Sequence, residues 1–213
     1  KVYMEAIMYM FNPVRPKLKA SMQALGNITS AHFDFSQLSS KYPAYKRGEN
    51  PNIFNPAFAT GCLMDLGIYC IYPALDLFGM PKSIWSTASF LESGADGNGT
   101  TVFKYDNMLL TMTWSKLAQG FCGSEIIGDG GTVTIESVSQ LNGIRFCRKG
   151  GEPVEVVGET EKHIIMSHEA QALLDFATKP EETAEQYKEA SQMALRVSTV
   201  MKEIRNLSGI KFN

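Results

Sequence analysis

From residue 83 to residue 157, short segments of alternating apolar and polar residues follow one another, and glycine-rich turns separate them. Alternation buries one face of each strand and exposes the other, which is typical of an antiparallel sheet. This series constrains the fold most, because a sheet with one apolar face requires helices to cover that face. The predicted strands span residues 83–91, 100–105, 108–117, 124–127, 132–137, 144–149 and 153–157.

The segments on either side of this series complete the prediction. Alternation and aromatic content favour two earlier strands, at residues 2–11 and 27–35. A long polar loop, of the kind that often lines a site, spans residues 36–56. The predicted fold class is α+β: a large open, mostly antiparallel sheet with helices packed on one face. Apolar residues at helical spacing predict helices at residues 17–25, 57–78, 164–177 and 183–207.

Length and charge exclude several classes of protein. The 213 residues suffice for one domain with a substantial core. The net charge of −2 gives no electrostatic basis for binding nucleic acid or an anionic membrane. No apolar run reaches the roughly 18 residues that a membrane span requires, so we expect a cytoplasmic protein. The chain begins within a strand-like segment, and we therefore expect further sequence upstream.

The cysteines and histidines predict no metal site. No two cysteines have C-x-x-C spacing, and two of the four lie in the apolar helix, so we expect buried, reduced thiols. The three histidines lack the spacing of zinc ligands. The cysteines are Cys62, Cys70, Cys122 and Cys147.

Within residues 59–69, a small-residue turn leads into the apolar helix; Asp65 is the one carboxylate of this segment, and Tyr69 follows four residues later. This spacing places both side chains on one helix face. An acid on an apolar helix is costly to desolvate without a partner. A tyrosine donates a proton to a developing alkoxide when a cation or hydrogen-bond network stabilises its phenolate. The alternative is structural: Asp65 caps a neighbouring backbone, and Tyr69 packs in the core.

Two further segments allow a functional and a structural interpretation. Gly-Asp-Gly-Gly at 128–131 has the composition of a phosphate-binding loop, but the next residues continue as a strand and do not open a helix. It therefore predicts a hairpin turn, and the chain lacks a nucleotide-binding unit of its own. Aromatic and basic residues, including Tyr42, cluster at 41–47 in the polar loop, as either a solvated surface or a lid that contacts substrate.

Asp-Leu-Gly-Ile-Tyr at 65–69 resembles the signature of the glucose-fructose oxidoreductase / inositol dehydrogenase (Gfo/Idh/MocA) family. Residues 4–13 look like the first strand after the nucleotide domain in that family. Residues 54–57, ahead of the helix, resemble the version found near dimeric dihydrodiol dehydrogenases. The segments at 77–81 and 125–133 also match in order, so the resemblance covers nearly the whole chain.

The resemblance implies one domain of a two-domain enzyme. Members have an N-terminal Rossmann domain and a C-terminal domain with a large open sheet, and residues 1–213 resemble the second domain alone, without the dinucleotide-binding domain. The implied reaction is hydride transfer between NAD or NADP and a sugar, polyol or diol carbon. The missing domain would bind most of the cofactor, and no cofactor-binding residue is assigned in this chain.

The resemblance also implies roles for individual residues. Asp65 and Tyr69 match the two catalytic positions of the helix, with Tyr69 as proton donor or acceptor. A lysine from a Glu-Lys-Pro motif of the Rossmann domain would join them. The substrate-binding candidates are Asn12, where the family often has basic residues, Tyr42 in the loop, and Asn55 ahead of the helix.

Residues 108–114 carry apolar side chains that call for cover on both faces of the sheet. Helices cover one face and a second copy the other, so we expect a homodimer or higher homo-oligomer through the sheet. We expect no dehydrogenase activity from this chain alone. Two alternatives stay open: a non-catalytic ligand-binding or dimerisation module, and a stand-alone acid–base enzyme such as a lyase that uses Asp65 and Tyr69.

Overall fold

The computed structural model describes residues 1–156, 158 and 161–212. Within these residues one sheet contains eight strands: β1 Ile28–Ser36, β2 Ser83–Phe90, β3 Asp96–Lys104, β4 Leu109–Ser115, β5 Ser124–Gly128, β6 Gly131–Ile135, β7 Arg145–Cys147 and β8 Val154–Glu155. Their spatial order is β2-β3-β4-β1-β5-β6-β7-β8. Every neighbouring pair is antiparallel except β1 and β4, which run parallel. The predicted fold class is confirmed, and the last predicted strand ends at residue 157, outside the described residues.

Alternation along each strand separates the two faces of the sheet. In β1, Phe33 is fully buried on the face that the helices cover, while His32 points to the opposite face. The register pairs Phe33 with Met112 and His32 with Thr111 of β4, so the buried and open faces continue from strand to strand. The buried face is apolar and the open face is mostly polar, as expected for a sheet with helices on one side.

The helices of the described residues are α1 Met8–Phe11, α2 Arg15–Met22, α3 Tyr42–Lys46, α4 Ile68–Phe78, α5 Lys162–Thr178 and α6 Ala184–Ser208. Among them, α4 and α6 contact strands and form the layer that covers the sheet. The α4 helix contacts β1 and β4 on one side and α6 on the other. Six of its eleven residues are buried, which fits its apolar sequence and its place between two layers. The sheet and α4 therefore form the framework on which the functional residues are placed.

The predicted strand at residues 2–11 is wrong. The structure has no regular element at residues 1–7 and a helical turn, α1, at Met8–Phe11. Met8, Tyr9 and Met10 are buried in succession, whereas a half-buried strand buries every second residue. The turn packs against α4 and α5, and the Tyr9 hydroxyl donates to Asp76 Oδ2 of α4 at 2.7 Å. Because neighbouring helices bury consecutive residues of this segment, its apolar residues do not mark one face of a strand, and the sequence pattern was misleading.

The predicted hairpin turn at 128–131 is confirmed, because Gly128 and Gly131 pair where β5 and β6 meet. The Asp129 carboxylate accepts hydrogen bonds from the backbone and side-chain amides of Asn27, both at 2.8 Å. A Cβ atom at Gly128 would lie 2.1 Å from the carbonyl oxygen of Leu25, so this position excludes a side chain. These glycines allow the hairpin to pack closely on the backbone before β1.

The stretch Pro56–Phe78 has the length and composition of a membrane-crossing helix, which the sequence analysis did not single out. In the structure, 61% of its apolar window is buried against the rest of the chain, as in the core helix of a globular domain. Cys62 and Cys70 are buried on this stretch, and burial raises the pKa of both thiols. Cys122 is exposed and Cys147 half-buried, so the expectation of buried thiols is wrong for Cys122.

Candidate active site

The predicted helix at 57–78 begins later than expected, and its start is built around a buried acid, Asp96. The Oδ2 atom of Asp96 accepts a hydrogen bond from the Leu63 backbone N–H at 2.7 Å and so caps the first turn. Burial raises the pKa of Asp96, although backbone hydrogen bonds from Leu63 and Cys62 act in the opposite direction. A Cβ atom at Gly61 would lie 1.9 Å from Asp96 Oδ1, so only glycine allows this approach.

A wide π-helical turn carries the candidate acid. Residues Leu63–Gly67 form this turn, and α4 continues from it without a break. Gly67 packs against the Trp114 ring, and a Cβ atom there would lie 3.2 Å from Trp114 Cδ2. Single π turns inside helices occur frequently at functional sites. The turn places Asp65 at the end of the sheet where β4 finishes, with Tyr69 in the first turn of α4.

Asp65 has a partner that the sequence analysis missed. Lys116 follows β4, and its Nζ atom donates to Asp65 Oδ2. The lysine side chain is 4% exposed and the aspartate side chain 44% exposed, so the ammonium holds the carboxylate from the interior while the carboxylate still reaches solvent. A buried ammonium is stable only with such a partner. The signal was present, because Lys116 continues the every-second-residue pattern of Met112 and Trp114 on the buried face.

Tyr69 is half-buried and packs edge-to-face on Phe35, with ring centroids 5.4 Å apart. Burial is the largest cause that raises the pKa of the Tyr69 phenol, and the carboxylates of Glu169, Asp65 and Glu5 raise it further. The phenol is therefore protonated at neutral pH and can donate a proton. To act as an acceptor, it needs an additional cation that opposes these contributions.

Asp65 and Tyr69 line the same cleft, which has a volume of about 550 Å³. The cleft opens where β1 ends and the loops around β5 and β6 begin. A smaller recess of about 390 Å³ adjoins it, and Asp65, Leu66 and Gln37 line both cavities. Lys116 and Lys41 line the recess. The other polar side chains of the cleft include Gln119, Glu136, Ser139, Gln140 and Asn142.

The three predicted substrate-binding residues lie outside the cleft lining. Asn12 is buried, and its side chain accepts from the Val14 N–H at 2.8 Å and donates to the Gln140 carbonyl at 2.7 Å. It thereby holds a loop that lines the cleft.

The other two candidates, Tyr42 and Asn55, follow Lys41 and Ile53, which line the recess. Tyr42 starts α3 and packs on Tyr45 and Phe54. Asn55 accepts a hydrogen bond from the Ala57 N–H at 3.1 Å and caps a short 3-10 turn. Their roles as substrate contacts stay predictions, as does that of Asn12.

The open mixed sheet is covered by helices and carries an acid and a phenol at a cleft beside its central strand. The profile of the GFO/IDH/MocA C-terminal domain matches residues 19–134, more than half of the chain. The chain therefore belongs to the Gfo/Idh/MocA family, as the resemblance predicted.

Curated relatives agree with this assignment. An uncharacterised oxidoreductase of Escherichia coli is 36% identical over 200 residues, which cover 92% of this chain and 58% of the relative. The NADP(+)-dependent scyllo-inositol 2-dehydrogenase of Bacillus subtilis is 31% identical over 212 residues, which cover 99% of this chain and 63% of the relative. The chain thus spans about three fifths of the length of these relatives.

Solved structures share the fold at lower sequence identity. A 3-ketoreductase from Actinomadura kijaniata, in complex with TDP-benzene and NADP, superposes with a TM-score of 0.76 at 15% identity over 97% of this chain and 61% of its own. An aldose-aldose oxidoreductase from Caulobacter crescentus complexed with glycerol gives 0.67 at 17% identity over 95% of this chain and 61% of its own. These structures show the shared fold, and the predicted relation to NAD(P)-dependent oxidoreductases is confirmed by the family match and the two curated relatives.

Proposed function

We propose that this chain is the substrate-binding and oligomerisation domain of an NAD(P)-dependent oxidoreductase that acts on a sugar, polyol or diol. The observation that carries the proposal is the convergence of Asp65 and Tyr69 on one polar cleft. The relation to a scyllo-inositol dehydrogenase and to an aldose oxidoreductase supports a polyhydroxylated substrate. The nicotinamide, when bound, supplies or takes up the hydride.

Within this proposal, Tyr69 moves the proton. Its raised pKa keeps the phenol protonated, so it is ready to donate to the alkoxide that forms when a carbonyl is reduced. Asp65, fixed by Lys116, presents its half-exposed carboxylate to the cleft and orients a substrate hydroxyl or an incoming lysine. Oxidation of an alcohol requires a phenolate or a relay to solvent, and the lysine expected from the nucleotide domain would supply the necessary positive charge.

The described residues fit a cofactor that is held mainly by another domain. The Gly-Asp-Gly-Gly segment at 128–131 is a turn between antiparallel strands, so it offers no helix N-terminus for a diphosphate. Asp65 lines both the cleft and the recess, which supports a role between substrate and nicotinamide. Residues of this chain would then complete the reaction site without binding the dinucleotide themselves.

The test uses a two-domain protein that carries this chain behind a nucleotide-binding domain. We expect Tyr69→Phe to lower kcat for polyol oxidation or carbonyl reduction by about 10²–10⁴-fold with an unchanged fold. Tyr72→Phe is the matched control, because Tyr72 lies on the same helix but outside the cleft lining. Equal activity of the Tyr69→Phe variant and the control would contradict the role of Tyr69, and turnover by the 213-residue chain alone would contradict the need for a second domain.

We also propose that the open sheet face forms a homodimer. Trp85, 54% exposed, and Leu109 stand on this face among half-buried polar residues, and an exposed tryptophan is a typical interface anchor. We expect sedimentation at micromolar concentration to show a dimer that Trp85→Glu shifts to monomer. Leu195→Glu, at an exposed position of α6, is the control and should leave the dimer intact. A monomeric wild-type chain would contradict the proposal.

A further inference from the structure

We propose that the cleft selects an uncharged polyol and discriminates against the phosphate ester of the same polyol. This inference rests on the function proposed above, because it specifies the substrate class of the same site. It follows from two properties of the lining: its charge balance, and the excess of hydrogen-bond acceptors that require a donor from the ligand.

The charge balance of the cleft is negative. Three carboxylates, those of Asp34, Asp65 and Glu136, line it, whereas Lys162 is the one basic side chain among the described residues of the lining. Lys116 lies close by, but its ammonium is buried and already bonded to Asp65. It is therefore not available to a second anion. A phosphate ester carries about two negative charges at neutral pH, and these would be repelled by Asp34 and Glu136, which form no ion pair within the described residues.

The hydrogen-bonding groups of the cleft lead to the same conclusion. Carboxylate oxygens accept hydrogen bonds and cannot donate them when ionised. Asn142 lines the cleft, and its side-chain oxygen is a buried acceptor without a donor within the described structure. Each hydroxyl of a polyol both donates and accepts, so it can satisfy such acceptors. A phosphate dianion only accepts, so an acceptor that faces the phosphate in place of a hydroxyl would be left unsatisfied, at a cost of about 1–3 kcal/mol.

The carboxylates of the cleft are not equally available to a ligand. Asp34 already accepts from the backbone and hydroxyl groups of Ser36 and from the Thr113 hydroxyl, at 2.6 to 3.1 Å. Its charge remains, but its oxygens are occupied. Glu136 is exposed at the mouth of the cleft, on the loop that follows β6. The available acceptors are therefore Asp65 on the side of Tyr69 and Glu136 on the opposite loop.

The experiment measures binding to the 213-residue chain by NMR titration, with myo-inositol and myo-inositol 1-phosphate as probes. We expect the uncharged polyol to shift cleft resonances, and the phosphate ester to bind at least about tenfold more weakly. Glu136→Gln should reduce the ratio between the affinities for the polyol and for the phosphate ester several-fold. Glu125→Gln removes a carboxylate on the open sheet face, outside the cleft, and should leave the difference unchanged.

Three results would overturn the proposal: equal or tighter binding of the phosphate ester, no shift of cleft resonances by the polyol, or an equal effect of the two glutamine variants. The outcome is distinguishable from that of the proposed function. Selective polyol binding without hydride transfer in the two-domain protein would refute the oxidoreductase function and leave the selectivity. Hydride transfer with phosphorylated substrates would refute the selectivity and leave the oxidoreductase function.

Discussion

Asp65 and Asp76 both lie in the apolar stretch Pro56–Phe78, but they differ in burial and in the number of groups bonded to them. Asp76 is 3% exposed and is bonded to Arg15 at 2.6 and 2.9 Å, to Lys19 at 2.7 Å and to the Tyr9 hydroxyl at 2.7 Å. Within the described residues Asp65 has one ionic partner, Lys116, and it keeps nearly half of its side chain exposed.

The difference shows how a structural acid and a functional acid can be told apart. All of Asp76's accepting capacity is used inside the protein, where it ties α1 and α2 to α4. Asp65 retains capacity on the side of a cleft that a tyrosine also lines. A carboxylate on an apolar helix is therefore no indicator of function until its partners are counted.

The largest expected effect is on Asp76. Asp76→Ala would leave Arg15 and the buried Tyr9 hydroxyl without their acceptor, and we expect a loss of about 3–5 kcal/mol in the free energy of unfolding. Denaturant unfolding monitored by circular dichroism measures it. The control is Asp106→Ala, since Asp106 is exposed and pairs only with exposed Lys82, so a change within about 0.5 kcal/mol is expected. Similar losses in unfolding free energy for Asp76→Ala and Asp106→Ala would contradict a structural role for Asp76.

We expect smaller losses in the free energy of unfolding when either partner of the Asp65–Lys116 ion pair is replaced, and a different loss for each. Asp65→Ala leaves a buried ammonium unpaired, so we expect a loss of about 2 kcal/mol. Lys116→Met leaves a carboxylate that water still reaches, and fills the interior with an apolar chain of similar length, so a loss of about 1 kcal/mol or less is expected. Chemical denaturation of both variants tests this order. A larger loss for Lys116→Met would mean that the lysine is held mainly by other contacts.

The smallest expected effect is the pH dependence contributed by Asp76. Burial alone would raise the pKa of this carboxyl, but hydrogen bonds from Arg15, Lys19 and Tyr9 prevail and lower it below 3.8. A carboxyl with a lowered folded pKa stabilises the protein above its unfolded pKa and loses this contribution as pH falls through the folded value.

The stability difference between wild type and Asp76→Asn should therefore be constant near neutral pH. It should shrink as the pH falls below about 4. Urea unfolding at a series of pH values measures it, and a difference that grows on acidification would contradict the sign.

The sequence was sufficient to predict the sheet and the catalytic candidates, because both depend on local spacing. Alternation identified the strands between residues 83 and 137, and the four-residue spacing identified Asp65 and Tyr69. Local spacing failed at residues 2–11, where neighbouring elements bury successive residues.

Long-range partners were not predictable in the same way. Asp65 bonds to Lys116, which lies 51 residues later along the chain, and Leu63 bonds to Asp96, which lies 33 residues later. The parallel pairing of β1 with β4 likewise depends on the whole chain, and the π turn at Leu63–Gly67 has no sequence pattern of its own. Of these features, the partner of Asp65 was the one that the sequence indicated, because Lys116 falls on the buried face of the alternating pattern and therefore requires an acid nearby.

The position of β1 has a consequence for how the domain assembles. Strands β2 to β4 form one antiparallel group and β5 to β8 another, and the two join only through β1, whose parallel partner lies some 80 residues later. Each group can order from near-neighbour contacts, but the seam between them must wait for distant parts of the chain to meet. The cleft opens at the end of this seam. We therefore expect the pocket to form late in folding, and hydrogen exchange at β1 would measure the integrity of the seam beneath it.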